Sequence, residues 1–313
     1  MVAPLVLLLD TNHQLIPQQL SDKGFVIHED YTSSYEEVKK KIHLYDGLVI
    51  RSRIPIDADF LGKAEKLKFI ARVGAGMENI DCDFAQKRGI ALINSPEGNR
   101  DAVAEHVLGM LLVLMNRLFI ASQEVKNGIW LREENSGDEI MGKTFGIIGY
   151  GNMGNAVAKR LSGFGAKVIF HDILPNLSNQ YATQVDLKTL QKEADILSLH
   201  LPQTIESKYI INERFIDEMG KEFYFINTAR GNHVKTSALV KGLKSGKVKA
   251  AALDVLEFEK ASFENISETS NTDLKYLLDS EKVMVTPHIA GKTFQSKVKL
   301  AQTIVDKILK LNL

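Results

Sequence analysis

The sequence has a single cysteine and no surplus of charge of either sign. Cys82 is the only cysteine among 313 residues, so no internal disulfide can form and a reducing, cytoplasmic location is expected. Lysine plus arginine and aspartate plus glutamate number 39 each, which gives a formal net charge of zero. Nucleic acids and anionic membranes attract proteins with a positive balance. We therefore expect neither of them as a partner.

Long apolar runs and common metal or nucleophile motifs are also missing. The apolar runs at 2–9 and 107–115 fall short of the roughly 20 residues that a membrane-spanning helix needs. The eight histidines form no H-E-x-x-H pattern or close pair, so we predict no metal site. The sequence contains no G-x-S-x-G motif and no P-loop, which argues against a serine hydrolase or a P-loop nucleotidase.

Short runs rich in Leu, Ile and Val alternate with segments of helical character along the chain. These runs lie at 5–9, 47–51, 68–73, 90–94, 145–149, 167–172, 180–185, 195–200, 223–227, 248–254 and 282–286. Such alternation predicts an α/β fold in which helices cover both faces of parallel sheets. The length favours two such units, the second starting near Phe145. A turn at 95–98 and a long helix over 101–118 lead from one unit to the other.

A glycine motif of the form G-x-G-x-x-G begins the second unit. It consists of Gly149, Tyr150, Gly151, Asn152, Met153 and Gly154. The motif follows a predicted strand, opens a helical segment and precedes a second strand that ends in Asp172. That context predicts a dinucleotide site, because the glycines allow a tight turn and close approach of the backbone to a pyrophosphate. Asp172 would bind the adenosine ribose and repel a 2′-phosphate, so we predict NAD rather than NADP.

Polar side chains follow three predicted strands late in the chain. Arg230, Asp254 and His288 each stand at or just beyond a strand end, and Glu257 and Glu259 come shortly after Asp254. Parallel sheets bind their ligands at the carboxyl ends of the strands. A guanidinium can hold a carboxylate, an imidazole can transfer a proton, and a carboxylate can orient that imidazole. The combination predicts hydride transfer between NAD(H) and C2 of a small 2-hydroxy or 2-oxo acid.

With these features the chain resembles the D-isomer-specific 2-hydroxyacid dehydrogenase family, in the branch that includes the D-3-phosphoglycerate dehydrogenases. The segments that carry the resemblance are 73–81, 94–99, 103–106, 142–144, 149–154, 200–202, 227–231, 252–254 and 286–291. Glu78 and Lys260 depart from the residues common in the family, and 261–280 matches no part of the pattern. The resemblance covers nearly the full length.

The resemblance implies a role for individual residues. Arg230 would bind substrate, His288 would be the acid/base, and Glu259 would pair with His288. The cofactor cleft would be lined by His200, Pro202, Thr228, Ala229, Asp254 and Gly291, together with the glycine motif. The substrate would contact the backbone of Gly74, Ala75 and Gly76 and be bordered by Arg51, Ser52 and Arg53.

The resemblance also implies a domain plan. A Rossmann-type NAD domain, residues 99–289, would be inserted into a flavodoxin-like substrate domain made of 1–98 and 290–313, both with doubly wound parallel sheets. The active site would lie in the cleft between the domains, and the helix at 101–118 would contribute to a homodimer interface.

Several substrates and functions fit these residues. Arg53 matches an arginine of bacterial phosphoglycerate dehydrogenases, which makes 3-phosphoglycerate, and thus serine biosynthesis, the leading candidate. Glyoxylate, hydroxypyruvate or an aliphatic 2-oxo acid would suit the same chemistry if Arg53 is an ordinary solvated loop residue. Formate dehydrogenase, a relative, carries Gln at the position of Glu259. A co-repressor or scaffold that senses NAD(H) is the alternative of another class.

Overall fold

The computed structural model describes residues 3–259, 271–311 and 313, and the chain divides in it into two units. One unit is Met1–Arg100 with Lys292–Leu313, and the other is Asp101–Gly291. These boundaries lie two residues from those expected at 98 and 290. Within these residues, each unit contains one parallel sheet, with five strands in the first and seven in the second. The predicted fold class, with two parallel-sheet α/β units, is confirmed.

The helices and strands alternate along the chain. The strands are β1 (Leu5–Leu8), β2 (Val26–Glu29), β3 (Gly47–Ile50), β4 (Phe69–Arg72), β5 (Ala91–Asn94), β6 (Thr144–Ile148), β7 (Lys167–His171), β8 (Thr183–Gln184), β9 (Ile196–Leu199), β10 (Phe223–Asn227), β11 (Val248–Leu253) and β12 (Val283–Val285). The α-helices are α1 (Leu15–Asp22), α2 (Tyr35–Lys41), α3 (Ala58–Gly62), α4 (Cys82–Lys87), α5 (Pro96–Met115), α6 (Leu118–Lys126), α7 (Asn152–Leu161), α8 (Leu187–Glu193), α9 (Glu213–Asp217), α10 (Thr236–Ser245), α11 (Thr272–Asp279) and α12 (Phe294–Leu309).

The first sheet has the strand order β2-β1-β3-β4-β5, which is the flavodoxin-like order. Four of its strands coincide with predicted apolar runs. The sequence pattern missed the edge strand β2, whose side chains are half-buried or exposed, with Val26 45% exposed. An edge strand that buries little apolar surface leaves no hydrophobic pattern to detect.

Helix α12 returns to the first unit and closes its core. Leu300, Ile304 and Ile308, spaced four residues apart, are buried against a cluster that includes Val6 and Leu8. Val298 of the same helix is 41% exposed. Leu300 lies on the buried face instead, because it continues the four-residue spacing that keeps side chains on one side of a helix.

Helix α5 begins earlier than the sequence suggested. We expected a turn at 95–98 and a helix from 101, whereas α5 starts at Pro96. Proline suits the first turn of a helix, because the amide hydrogen that it lacks would have no partner there. A Cβ on Gly98 would lie 2.6 Å from the Cα of Leu300, so glycine is needed where this first turn meets α12.

The second sheet has the order β12-β11-β10-β9-β6-β7-β8, with all strands parallel. Strand β10 is buried on both faces of this sheet. Phe223 and Phe225 belong to one apolar cluster, and Tyr224 and Ile226 belong to a second one. Alternate side chains of a strand point to opposite faces. The direction of strand order reverses between β6 and β9, and ligands bind at such switch points in open α/β sheets.

Candidate active site

The glycine motif forms the turn between β6 and α7. Gly149 has a φ of +89°, and a Cβ there would lie 2.5 Å from the carbonyl oxygen of His200. A Cβ on Gly154 would lie 2.2 Å from the carbonyl oxygen of Gly149. Gly151 differs, because a Cβ there would meet no atom of the described residues within 4 Å. Two of the glycines are thus required by close backbone contacts, and the middle one faces open space.

The start of α7 is suited to an anion. Gly151 is the residue before the helix and supplies no side-chain cap to the first amide groups. Such amides, together with the helix dipole, attract phosphate groups. Tyr150 directs its ring inward, where it stacks on Phe170 at 3.7 Å between centroids, so this residue can contribute only its backbone to the turn.

Asp172 lies directly beside the glycine turn. Its Oδ2 accepts a hydrogen bond from the amide of Tyr150 at 2.6 Å, and its Oδ1 accepts one from Leu174 at 2.9 Å. The residue also lines a cavity of about 660 Å³ together with Ile173 and Gln184. A carboxylate held at this place can receive the ribose hydroxyl groups of an adenosine.

Asp172→Asn is expected to weaken the preference for NADH over NADPH by about tenfold. The variant loses the repulsion between the Asp172 carboxylate and the 2′-phosphate of NADPH, and a tenfold change corresponds to about 1.4 kcal/mol. The amide oxygen of asparagine can still accept the bond from Tyr150, so the turn should keep its shape. The measurement is the ratio of kcat/KM for the two cofactors. An unchanged ratio would show that selectivity resides elsewhere.

The residues beyond β9 and β10 also fit a dinucleotide. His200 and Pro202 follow β9, and Thr228 and Ala229 follow β10, the neighbouring strand. The hydroxyl oxygen of Thr228 is buried and has no hydrogen-bond partner among the residues that the structure describes. A buried polar atom without a partner is costly, so a ligand that satisfies it would bind favourably there. Gly291 ends the second unit.

His200 is buried and held neutral. Its Nε2 lies 2.9 Å from the hydroxyl oxygen of Ser198, which is fully buried. Desolvation lowers the pKa of His200 from 6.5 to about 3. This imidazole is therefore not a proton donor near neutral pH.

The buried His200 predicts a loss of stability in acid. As the pH falls below 6.5, the unfolded chain takes up a proton that the folded chain accepts only near a pKa of about 3. The stability of the folded state should therefore decrease from pH 7 to pH 5 by about 2 kcal/mol through this group. His200→Gln should remove that share of the decrease, as measured by urea unfolding at both pH values. An equally steep decrease in the variant would contradict the assignment.

His288 and Glu259 form a direct pair. Nδ1 of His288 lies 2.7 Å from Oε2 of Glu259, and the two side chains are 24% and 15% exposed. The other carboxylate oxygen of Glu259 accepts the amide of Leu256 at 2.6 Å, which fixes its orientation. Because Glu259 binds Nδ1, the proton exchanged with a substrate is assigned to the opposite ring nitrogen, Nε2.

His288 has left-handed backbone geometry, with a φ of +53°. Its amide donates to the carbonyl oxygen of Asp254 at 2.8 Å. The Asp254 carboxylate, 1% exposed, accepts from the Thr286 hydroxyl at 2.6 Å and from the amides of Ile289 and Ala290 at 2.8 Å. Asp254 thus holds the turn that presents His288. Its expected contact with the nicotinamide stays a prediction.

Arg230 follows β10, and its loop contacts the loop after β11. The Asn227 side chain donates to the carbonyl oxygen of Arg230 at 2.9 Å. A Cβ on Gly231 would lie 1.9 Å from the carbonyl oxygen of Leu256, so these two loops touch through their backbones. The strands β10, β11 and β12 are neighbours. Arg230, Glu259 and His288 therefore follow three adjacent strands at their carboxyl ends.

Glu257, the second carboxylate beyond Asp254, has a different set of partners. It accepts the Tyr209 hydroxyl at 2.7 Å and the amide of Thr236 at 2.9 Å. Both of its oxygens are engaged in tying loops together. The structure therefore pairs Glu259, and not Glu257, with the imidazole.

The expected substrate loop lies in the first unit. The amide of Gly74 donates to the Ser95 hydroxyl at 3.1 Å, and the Ala75 carbonyl accepts the Asn94 side chain at 2.7 Å. These bonds hold the backbone at the ends of β4 and β5. Gly76, like Ala75, is half-buried.

Arg53 is committed to the fold of the first unit. Its guanidinium donates to the carbonyl oxygens of Leu9 at 2.7 Å, of Asp30 at 3.0 Å and of Ser33. Ser52 beside it is half-buried. These bonds of Arg53 use three of the five N–H donors of the guanidinium, which leaves two for a ligand.

Arg72 is a residue that no sequence pattern selected. Its guanidinium packs against Gly74, where a Cβ would lie 2.2 Å from Nη1, and its Nε donates to the Arg51 carbonyl at 3.3 Å. Arg51 itself has an exposed side chain at the end of β3. Arg72 is the last residue of β4, so the strand-end argument that selected Arg230 would also have selected it.

Among the described residues, no group of three or more His, Cys, Asp and Glu side chains could hold a metal ion. No single helix in those ranges has the length and apolar character to cross a membrane. Helices α5 and α6 meet that requirement only as a pair, which is bent by 58°.

Fold and site together define a dinucleotide-dependent oxidoreductase, and comparison with known proteins agrees. Residues 108–290 match the family described as D-isomer specific 2-hydroxyacid dehydrogenase, NAD binding domain. Hydroxypyruvate reductase from Thermotoga maritima is 38% identical over 275 residues, which cover 88% of this chain and 87% of that protein. D-3-phosphoglycerate dehydrogenase from Archaeoglobus fulgidus is 35% identical, covering 89% of this chain and 51% of that one. This chain thus spans about half the length of that relative.

Solved structures share the architecture. The D-lactate dehydrogenase of Aquifex aeolicus, solved with NAD and lactic acid, has a TM-score of 0.84 and 28% identity, covering 98% of this chain and 95% of that one. The chain belongs to the D-isomer specific 2-hydroxyacid dehydrogenase family, and its cofactor is NAD. The predicted family and cofactor are confirmed.

Proposed function

We propose that this protein reduces hydroxypyruvate, or a similarly small 2-oxo acid, to the D-2-hydroxy acid with NADH. The observation that carries the reaction is the 2.7 Å bond between Glu259 and Nδ1 of His288, at the carboxyl ends of adjacent strands. Hydride addition to a carbonyl carbon needs a proton for the carbonyl oxygen, and a carboxylate-bound imidazole supplies one. Formate oxidation needs no such donor.

The side chains divide the work of the reaction. NADH, when bound, supplies the hydride. His288 gives the proton on Nε2 to the carbonyl oxygen as that oxygen becomes a hydroxyl, and it takes the proton back in the reverse direction. Glu259 orients the imidazole and stabilises its charged form. Arg230 holds the substrate carboxylate with its planar guanidinium.

The contacts of Arg53 favour an unphosphorylated substrate. The case for 3-phosphoglycerate rested on this side chain, and it donates to three backbone carbonyls of its own unit. The hydroxypyruvate reductase relative also matches over nearly its whole length, whereas the phosphoglycerate dehydrogenase relative matches over half. We therefore place hydroxypyruvate first, with glyoxylate and aliphatic 2-oxo acids as variants of the same chemistry.

A second candidate is 3-phosphoglycerate, and Arg72 is the observation that favours it. This guanidinium lies against Gly74 and next to the backbone of Arg51, in the loop expected to bind substrate. Two arginine side chains at the ends of β3 and β4 could balance a phosphate in addition to a carboxylate.

The test is a panel of 2-oxo acids with purified protein and NADH. The panel contains hydroxypyruvate, glyoxylate, pyruvate and phosphohydroxypyruvate, and kcat/KM is measured for each. We expect kcat/KM for hydroxypyruvate to exceed that for phosphohydroxypyruvate by at least about tenfold. A phosphate without a cationic partner lacks one charge pair, which is worth about 1.4 kcal/mol. The reverse order would support the second candidate. NADH binding without turnover of any acid would favour a sensor of NAD(H) instead.

A further inference from the structure

A second histidine lies next to the turn that carries His288. His106, on α5, places its Nε2 3.2 Å from the hydroxyl oxygen of Thr286 and 3.7 Å from Oδ1 of Asp254. Its side chain is 22% exposed. Neither composition nor strand-end position singled out this residue.

The donors and acceptors among His106, Thr286 and Asp254 follow from the number of protons that each group carries. The Thr286 hydroxyl donates its one proton to Asp254, whose carboxylate can only accept when ionised. The Thr286 oxygen must then accept from His106, which therefore carries a proton on Nε2. The result is a directed series of bonds from His106 through Thr286 to Asp254.

The same Asp254 holds the turn beyond it. Its carboxylate accepts the amides of Ile289 and Ala290, and its carbonyl accepts the amide of His288. Left-handed backbone at a residue other than glycine costs about 1–2 kcal/mol and persists only where its surroundings impose it. These bonds impose it at His288.

We propose that His106 is a positioning residue, which orients Thr286 and Asp254 so that the turn presents His288 to the substrate. The inference rests on the proposed acid/base function of His288. Packing supports it, because Ala290 shares one apolar cluster with Val103 and Val107 of α5. Helix and turn therefore contribute side chains to the same apolar cluster, and His106 adds the polar contact that sets the direction of the bonds.

The test compares His106→Leu with His106→Gln, which keeps a side-chain N–H donor of similar reach. We expect the leucine variant to lose about tenfold in kcat, because a small misplacement of a proton donor slows the chemical step. NADH affinity should stay within about twofold, since the glycine turn is not involved. The glutamine variant should recover most of kcat. Thr286→Val should match the leucine variant, and the double variant should lose no more than either single one.

The primary isotope effect with deuterated NADH separates positioning from simple damage. A slower chemical step raises the isotope effect, whereas a smaller fraction of folded enzyme lowers kcat without changing it. His43→Leu, the same substitution at an exposed histidine of the first unit, is the matched control. If His106→Leu does not fold, the comparison of His106→Gln with Thr286→Ser and Thr286→Val decides.

The outcomes distinguish this proposal from the proposed function. Wild-type kcat and isotope effect in His106→Leu, or a loss that glutamine does not restore, would overturn the positioning role. If His288→Asn keeps its turnover in the same assay, the acid/base function itself fails. An inactive His288 variant beside an unaffected His106 variant would reject positioning alone.

Discussion

His288→Asn is expected to lower kcat by about 10²–10⁴-fold, because the variant has no group that can donate a proton to the substrate oxygen. Asparagine is the substitution of choice, since it tolerates the left-handed backbone that this position adopts at a φ of +53°. NADH affinity should change by no more than about twofold, because the role proposed for the imidazole is proton transfer and not dinucleotide binding.

Stopped-flow measurement of NADH oxidation, together with NADH binding by fluorescence, checks this expectation. Glu259→Gln is the companion variant, and it should cost less than His288→Asn. The amide oxygen of glutamine can still accept from Nδ1, but it no longer stabilises the charged imidazole. A His288 variant that loses NADH binding and turnover in parallel would mean that the residue supports the fold of the site rather than the chemistry.

Among the glycines near the strand ends, Gly231 is the one whose replacement by alanine should reduce activity most. Its Cβ would lie 1.9 Å from the carbonyl oxygen of Leu256 and 2.6 Å from the amide nitrogen of Glu257. Both atoms belong to backbone, so no side-chain rotation can relieve the overlap. The loop that carries Arg230 must move away from the loop that leads to Glu259.

The expected result is a loss of about 100-fold in kcat/KM, because displacement of a binding group by about 1 Å has an effect of this size. The same overlap should destabilise the fold by about 1–3 kcal/mol, the usual cost of overpacking. Gly163→Ala is the matched control, since a Cβ there would meet no atom within 4 Å in the part of the chain that the structure describes. Steady-state kinetics and urea unfolding of both variants measure the two effects. Equal behaviour of the two variants would show that the loops after β10 and β11 can separate without consequence.

Patterns that are local in the sequence predicted most of the strands correctly. Apolar runs between helical segments marked four strands of the first sheet and the strands of the second, although β8 is only two residues long instead of the six expected at 180–185. The edge strand β2 and the first turn of α5 were missed or misplaced. Strand β2 was missed because it is exposed, and the start of α5 was misplaced because it depends on how this helix packs against α12. Neither property can be read from a short stretch of sequence.

Local patterns predicted some of the site residues and left others undecided. The glycine spacing indicated the dinucleotide turn, and the strand-end rule selected Arg230, Asp254 and His288. The same rule left Glu257 and Glu259 equivalent, and only the resemblance to the dehydrogenase family favoured Glu259. The structure shows the reason, since Glu257 binds Tyr209 and Thr236 while Glu259 binds His288.

By itself, the sequence determined two parallel-sheet units, an NAD site and the chemical types of the side chains that serve it. These features follow from periodicity and from residues a few positions apart. Only the tertiary structure decided that Arg53 binds carbonyl groups of its own unit, that Arg72 lies against Gly74 and that His106 lies beside Asp254. The physical reason is that the partners of a side chain depend on which distant strands and helices surround it. The same type of hydrogen-bonding group can therefore bind the protein's own backbone at one position and a ligand at another.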